Sequence, residues 1–398
     1  MNAPDVQRGP DGRYYLYYVL SMLTVVSVAV ADKPEGPYDF YGYVRNRDGS
    51  LYGETPGEVY NFDPGVFMDD DGRIYLYTGF SPEEGLLRKV MSYRKLNLDG
   101  AFGMELEPDM LTIRQKPRLV APGPVFAKYT DFRDHPFYEA SSMRKIGDTY
   151  YFVYSSTLSH ELCYATGKSP LGPFTFGGIL VSIGDVGYKG NTVPSNYTGN
   201  THGGMVELNG QWYIFYHRQT NQHSYSRQAC AEPLVRTSDG GFLQAEVTSC
   251  GLNGGPLKGE GTYPARIACN LWSKEGTARY DKPFNKKAHP YFTQRGKDGD
   301  KDSVQYIANM RDGSVAGFKY FDIKSVSSIS VTVSGEGHGV MQVSAVPDFS
   351  ECCAEIPVQQ EKREKTFTGT IQLEQGITAL YFRYQGEGRL NFLSFTLL

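Results

Sequence analysis

Residues 12–18, GRYYLYY, decide the fold, because the same pattern returns three times. It recurs as 72–80 GRIYLYTGF, 147–156 GDTYYFVYSS and 210–218 GQWYIFYHR. In each copy a Gly, suited to a tight turn, leads into a run of strand-favouring Tyr, Phe, Val, Ile and Leu. The Gly-to-Gly spacings are 60, 75 and 63 residues. Self-similarity on that scale marks a repeat architecture with several strands per unit. Radially repeated sheets form a β-propeller, with about four strands per blade. A second element agrees with this. Residues 33–40, KPEGPYDF, and 169–176, SPLGPFTF, share P-x-G-P-aromatic-x-F. They are expected to be the turn and outer strand of equivalent units. Helical periodicity is weak throughout this region.

The composition agrees with an all-β protein. The chain of 398 residues carries 30 Tyr, 45 Gly and 22 Pro, which is strand and turn material. A formal charge of -4 lacks the basic excess of a nucleic-acid binder. Six cysteines without a C-x-x-C pair read as buried free thiols rather than a zinc ribbon or a disulfide scaffold. Residues 14–31, YYLYYVLSMLTVVSVAVA, are uncharged and reach membrane-helix length. Their Tyr and Val content, the preceding Asp5 and Asp11, and the recurrence of the pattern favour two consecutive strands over a membrane helix or a signal peptide. No membrane partner is expected, and a cytoplasmic location is slightly favoured over secretion.

Seven to nine residues before each repeated Gly stands an ionisable residue: Asp5, Asp63, Glu139 and His202. Equivalent positions of successive blades surround one axis. Three carboxyl groups and an imidazole are therefore expected to converge at the mouth of the central channel. Asp69, Asp70 and Asp71 have no such support and read as a solvated hairpin turn. Converging carboxyl groups fit glycoside hydrolysis, which needs one acid to protonate the leaving oxygen and a second carboxylate to activate water or attack the sugar. Crowded like charges keep one of them protonated near neutral pH. Aromatic rings offer flat faces for sugar rings.

These stretches carry a family resemblance. A-P-D-V-x(6)-G-x-Y-Y-L-Y-Y, F-D-P-G-V-F-x-D-D-D-G-R-I-Y-L, F-Y-E-A-S-S-x(5)-G-x-x-Y-Y-F-x-Y-S and N-T-H-G-G-x-x-E-x-N-G-x-W-Y-I-F-Y-H resemble glycoside hydrolase family 43, in order, over about residues 1–270. The resemblance implies a five-bladed propeller and inverting hydrolysis of arabinose- and xylose-containing glycans. It implies Glu139 as general acid and Asp63 as the carboxylate that orients that acid and tunes its pKa. His202 matches a histidine near the axis that in some members helps to hold calcium, so a structural calcium is the one metal implied, and no cofactor is required. Asp5, His202 and Arg227 are the implied substrate-binding residues. The family carries its general base on the blade before A-P-D-V. Four repeats are visible here, so the first blade is expected to be missing and the base to lie upstream of Met1. The expected substrate is an oligosaccharide or plant polysaccharide that yields α-L-arabinofuranose or β-D-xylose. A non-catalytic carbohydrate-binding protein, or an inactive fragment, is the alternative.

The expected domains are the propeller over 1–272, N-terminally incomplete, a polar linker over 273–288, and a β-sandwich of jelly-roll type over 289–398. In the last, short strands such as 328–333 and 379–384 are read as separated by Gly-rich turns at 335–337 and 386–388. Residues 306–313, YIANMRDG, and 317–321, GFKYF, resemble the sandwich similar to family 6 carbohydrate-binding modules that some family 43 members carry.

Overall fold

The computed structural model describes residues 1–21, 23–280, 287–297, 299–301 and 303–398. The chain is all-β apart from short helical turns. It divides into two units: 1–180, 200–216 and 234–243 form the first, and 181–199, 217–233 and 244–398 the second.

The first unit is built from successive antiparallel sheets. β1 (Asn2–Arg8), β2 (Tyr14–Val19), β3 (Ser27–Ala31) and β4 (Asp39–Tyr43) form one in that order. β5 (Gly65–Met68), β6 (Ile74–Thr78), β7 (Gly100–Leu106) and β8 (Arg118–Pro122) form the next. β9 (Phe137–Ile146), β10 (Thr149–Ser156), β11 (Glu161–Gly167) and β12 (Phe174–Ser182) form the third. A three-stranded fourth blade runs β13 (Gly204–Leu208), β14 (Gln211–Thr220) and β15 (His223–Pro233), of which β15 belongs to the second unit. The run 14–31 is indeed two strands, β2 and β3, and among the described residues no helix is long and apolar enough to cross a membrane. Each P-x-G-P element is the turn between the third and fourth strands of its blade, with Gly36 and Gly172 at φ 86° and 78°.

The period of two explains why each repeated aromatic strand is apolar on both faces. In β6, Ile74 and Leu76 enter a core with Tyr15, Tyr17 and Val28 of the preceding blade. Tyr75 and Tyr77 enter a second core with Phe137, Phe152 and Tyr154 of the following blade. Alternate side chains thus serve neighbouring blades, and each large buried side chain contributes about 1.5–3 kcal/mol. Asp69 departs from the solvated-turn reading. The turn forms, but Asp69 is buried and accepts from Lys145 Nζ at 2.7 Å and from the Tyr150 hydroxyl at 2.5 Å, partners far along the chain.

The first strands of the blades lie side by side in the order β1, β5, β9, β13. Their approach is close enough to require glycine. A Cβ on Gly65 of β5 would stand 2.3 Å from the Ser141 carbonyl oxygen of β9, and within the fourth blade one on Gly203 would stand 1.8 Å from that of Phe215 on β14.

In the second unit the strands form one curled nine-stranded sheet around an aromatic core. Phe395 packs against Phe318 and Phe382, each with ring centres 4.8 Å away. The expected short strands 328–333 and 379–384 lie inside strands Ser328–Ser344 and Gly376–Leu397, of 17 and 22 residues. The expected Gly-rich turns are not turns. Gly337 pairs with Gly388 and Gly339 with Gly386 across these strands. A Cβ on Gly339 would meet the Gln385 carbonyl oxygen at 2.1 Å, and one on Gly388 that of Glu336 at 2.2 Å. Glycine here permits close backbone approach within a strand, a use that sequence alone does not separate from a turn. Of the expected linker, 273–280 begins with a turn closed by Gly276 N–H donating to the Ser273 carbonyl at 2.9 Å, while 281–286 lies outside the described residues.

Candidate active site

Asp63 and His202 stand just before β5 and β13, while Asp5 and Glu139 lie within β1 and β9. Asp63 precedes β5 with φ 46°, in the left-handed region. Its neighbour holds it there: Phe62 N–H donates to Thr78 Oγ1 at 2.9 Å, and the Thr78 hydroxyl donates back to the Phe62 carbonyl at 3.0 Å. Asp63 is 5 % exposed, and its Oδ2 lies 3.7 Å from His202 Nδ1.

Glu139 sits in β9 opposite Ser155 of β10. The register shifts between Ser155 and Val153, and Ala140 has φ 72°. This is a β-bulge, which re-aims the side chain beside it. Glu139 is 5 % exposed, and its Oε1 accepts from Asn200 Nδ2 at 3.1 Å. The Tyr138 carbonyl accepts from Ser81 N–H at 2.9 Å, which joins the loop after β6 to the start of β9. Phe62 and Tyr138, each next to one of the two acids, both pack against Phe80, with ring centres 5.3 and 5.2 Å away. Tyr60 extends the row at 5.8 Å from Phe80. A chain of rings therefore flanks both carboxyl groups.

Asp5 is placed differently. Its Oδ1 accepts Val6 N–H at 3.0 Å and its Oδ2 accepts Val66 N–H at 2.8 Å. It ties β1 to β5. Burial pushes its carboxyl above the ordinary range, opposed by the charge of Arg144 and by these hydrogen bonds. Arg227 lies in the second unit, exposed on β15, with its guanidinium against the His217 ring.

Asn200 is the polar partner that the sequence reading missed. It lies in the same N-T-H-G-G stretch as His202, which is the signal that marks it. The two glycines that follow are needed for packing. Gly203 faces the backbone of Phe215, and a Cβ on Gly204 would come 2.9 Å from Ser142 Oγ.

The implied calcium finds no group of three His, Cys, Asp or Glu ligand atoms at His202 among the described residues. Calcium takes six to eight oxygens, several from carboxylates. Among the described residues the one group of three His, Cys, Asp or Glu ligand atoms is His135, Glu161 and Cys163, and His202 belongs to none.

Comparison with known proteins gives the family. Residues 2–242 match the family model described as glycosyl hydrolases family 43. A "Xylosidase/arabinosidase" of Thermoclostridium stercorarium is 47 % identical over 400 residues, covering 99 % of this chain and 82 % of that protein. A "Beta-xylosidase" of Xylanibacter ruminicola is 35 % identical over 220 residues, covering 52 % of this chain and 62 % of that protein. The chain therefore spans about four-fifths of the first relative and three-fifths of the second. A solved family 43 arabinoxylan arabinofuranohydrolase from Bacillus subtilis, in complex with cellotetraose, is 21 % identical with a TM-score of 0.48, covering 99 % of this chain and 79 % of that one.

Proposed function

This chain belongs to glycoside hydrolase family 43, and from that premise we propose that its propeller cleaves O-glycosidic bonds at Glu139 and Asp63 with inversion. The observation that carries the reading is the placement of these two buried carboxyl groups beside adjacent first strands, each beside a polar partner from the fourth blade. Glu139 is the general acid. Asn200 holds the carboxyl group through Oε1, which orients it toward the leaving oxygen. Asp63 sits beside His202 and serves to orient and tune that acid. The partly exposed rings of Phe62 and Tyr138, both packed on the buried Phe80, give a sugar an apolar face next to the acids.

The substrate is an arabinose- or xylose-containing oligosaccharide or plant polysaccharide, and the products are α-L-arabinofuranose or β-D-xylose units. The names of the similar xylosidase/arabinosidases support this class. No cofactor is required. Asp5 has both oxygens engaged by backbone N–H groups, which favours a positioning role over water activation and leaves the base to the blade that the family resemblance puts before A-P-D-V.

The test is hydrolysis of aryl α-L-arabinofuranosides and β-D-xylosides by the 398-residue chain, with and without azide. Turnover is expected to be slow and to rise with azide, a small anion that replaces activated water and gives the inverted glycosyl azide. A chain extended upstream by one blade is expected to need no azide. Glu139→Gln retaining full rates on poor leaving groups would remove the proposal, and a product of retained configuration would remove inversion.

A further inference from the structure

A second group of chemistry-bearing side chains lies in the third blade, apart from the carboxyl groups described above. Glu161 and Cys163 stand two residues apart on β11, and His135 comes from the segment that enters β9. One ligand atom from each, His135 Nδ1, a Glu161 carboxylate oxygen and Cys163 Sγ, lies within 4.8 Å of the other two. Glu161 Oε1 accepts from His135 Nδ1 at 2.7 Å, from the Ser156 hydroxyl at 2.6 Å and from the Cys163 thiol at 3.4 Å. Glu161 and Cys163 are fully buried, while the His135 side chain is 23 % exposed. The cluster is therefore closed from within and reached from the His135 side.

We propose that His135, Glu161 and Cys163 form a binding site for a borderline-soft divalent transition metal, with zinc the best match. A nitrogen, a carboxylate oxygen and a sulfur form a donor set suited to zinc and ill suited to magnesium or calcium, which take oxygen. The spacing agrees. Around tetrahedral zinc a carboxylate oxygen and a thiolate sulfur stand about 3.6 Å apart, close to what Glu161 and Cys163 already show. An imidazole nitrogen and an oxygen need about 3.4 Å, so the ring must withdraw slightly from its hydrogen bond. His135 is the partly exposed member and can do so.

The surroundings resemble the outer shell of a metal site. The Ser156 hydroxyl fixes the Glu161 carboxylate, the His135 ring stacks on Phe176 with centres 4.9 Å apart, and the Tyr154 hydroxyl donates to the His135 carbonyl at 2.7 Å. Binding exchanges protons for the ion. Cys163 Sγ releases its proton to solvent, the Nδ1 proton of His135 passes to Nε2 (or to solvent when Nε2 already holds one) so that a neutral imidazole binds, Glu161 keeps its oxygen as ligand, and nothing is oxidised or reduced. The bound ion would pin the segment through Pro136 that leads to Glu139, four residues on from His135.

The experiment is titration of the full chain with Co²⁺, reading thiolate-to-cobalt charge transfer in the near ultraviolet. One equivalent is expected to raise the band and Zn²⁺ to abolish it. Cys163→Ser is expected to remove it, and His135→Gln to weaken binding at least tenfold. Absence of the band overturns the proposal. A band that survives Cys163→Ser and disappears in Cys352→Ser or Cys353→Ser also overturns it. Should Cys163→Ser fail to fold by circular dichroism, His135→Gln decides, because cobalt affinity unchanged in that variant overturns the site.

Discussion

Each unit holds a cluster of acidic residues, and the two are built for opposite ends. In the first unit, Asp63 Oδ2 faces His202, and Glu139 Oε1 accepts from the Asn200 amide. In the second, Lys319 Nζ is bonded to Asp185 Oδ2 at 3.1 Å and to Glu246 Oε1 at 2.8 Å. The Tyr320 hydroxyl also donates to Glu246, at 2.9 Å. Glu232 completes that group, with both oxygens accepting from Thr248 at 2.8 and 2.7 Å. A carboxyl group that must hand over a proton is better served by neutral partners than by a lysine that would hold it ionised. A carboxylate that joins distant strands is better served by the lysine. The difference separates chemistry from construction.

Glu139→Gln tests the first side. It is expected to lower kcat on glycosides with poor leaving groups by about 10²–10⁴-fold, the usual worth of general acid–base catalysis, while leaving the unfolding midpoint unchanged or raised. A large loss of stability would erase the contrast. Lys319→Met tests the other side. Removing one partner of a buried ion cluster costs about 3–5 kcal/mol because the remaining charges stay buried. Urea unfolding should show that loss, and binding of sugar by the first unit should persist at low urea.

The second cluster also gives a pH signature. Burial pushes the Glu232 carboxyl up to about 8, with the Asp185 charge adding to the rise and the Thr248 hydrogen bonds and Lys319 opposing it. Between the ordinary value of 4.5 and about 8 the folded chain keeps this proton and the unfolded chain releases it. The folded state then binds more protons, so stability falls as pH rises through that window, by up to about 1.4 kcal/mol per pH unit. Glu232→Gln is expected to flatten the slope in urea titrations run from pH 5 to pH 8. An unchanged slope would show that Glu232 is ionised in the fold.

The two clusters were not equally legible in the sequence. Asp63, Glu139 and His202 stand eight or nine residues before a repeated Gly-aromatic strand, so the blade symmetry that brings them together is written in the spacing. The blades themselves are legible for the same reason: alternation sends Tyr75 and Ile74 to opposite cores. Asp185 and Lys319 are 134 positions apart with no repeated motif between them, and only the folded sheet joins them. The Gly-rich segments at 335–339 and 386–388 misled for a local reason, since the missing Cβ serves a turn and a close strand pair equally well. Asn200 was hidden by its neighbour, because an imidazole announces chemistry and an amide does not.

Asn200 gives the finest test of the contrast. Its hydrogen bond to Glu139 Oε1 is a single neutral donor, worth about 0.5–1.5 kcal/mol. Asn200→Ala should therefore lower kcat by about twofold to tenfold on xylo-oligosaccharides or alkyl glycosides, whose leaving oxygen needs the proton. With a 2,4-dinitrophenyl glycoside, which departs without protonation, the same variant should match the parent chain. KM should change little in either case, because the amide is held by the acid and not by the sugar. A purely structural role would lower both rates together. Equal losses on the two substrates would therefore assign Asn200 to packing of the fourth blade, and unequal ones to holding the acid in place.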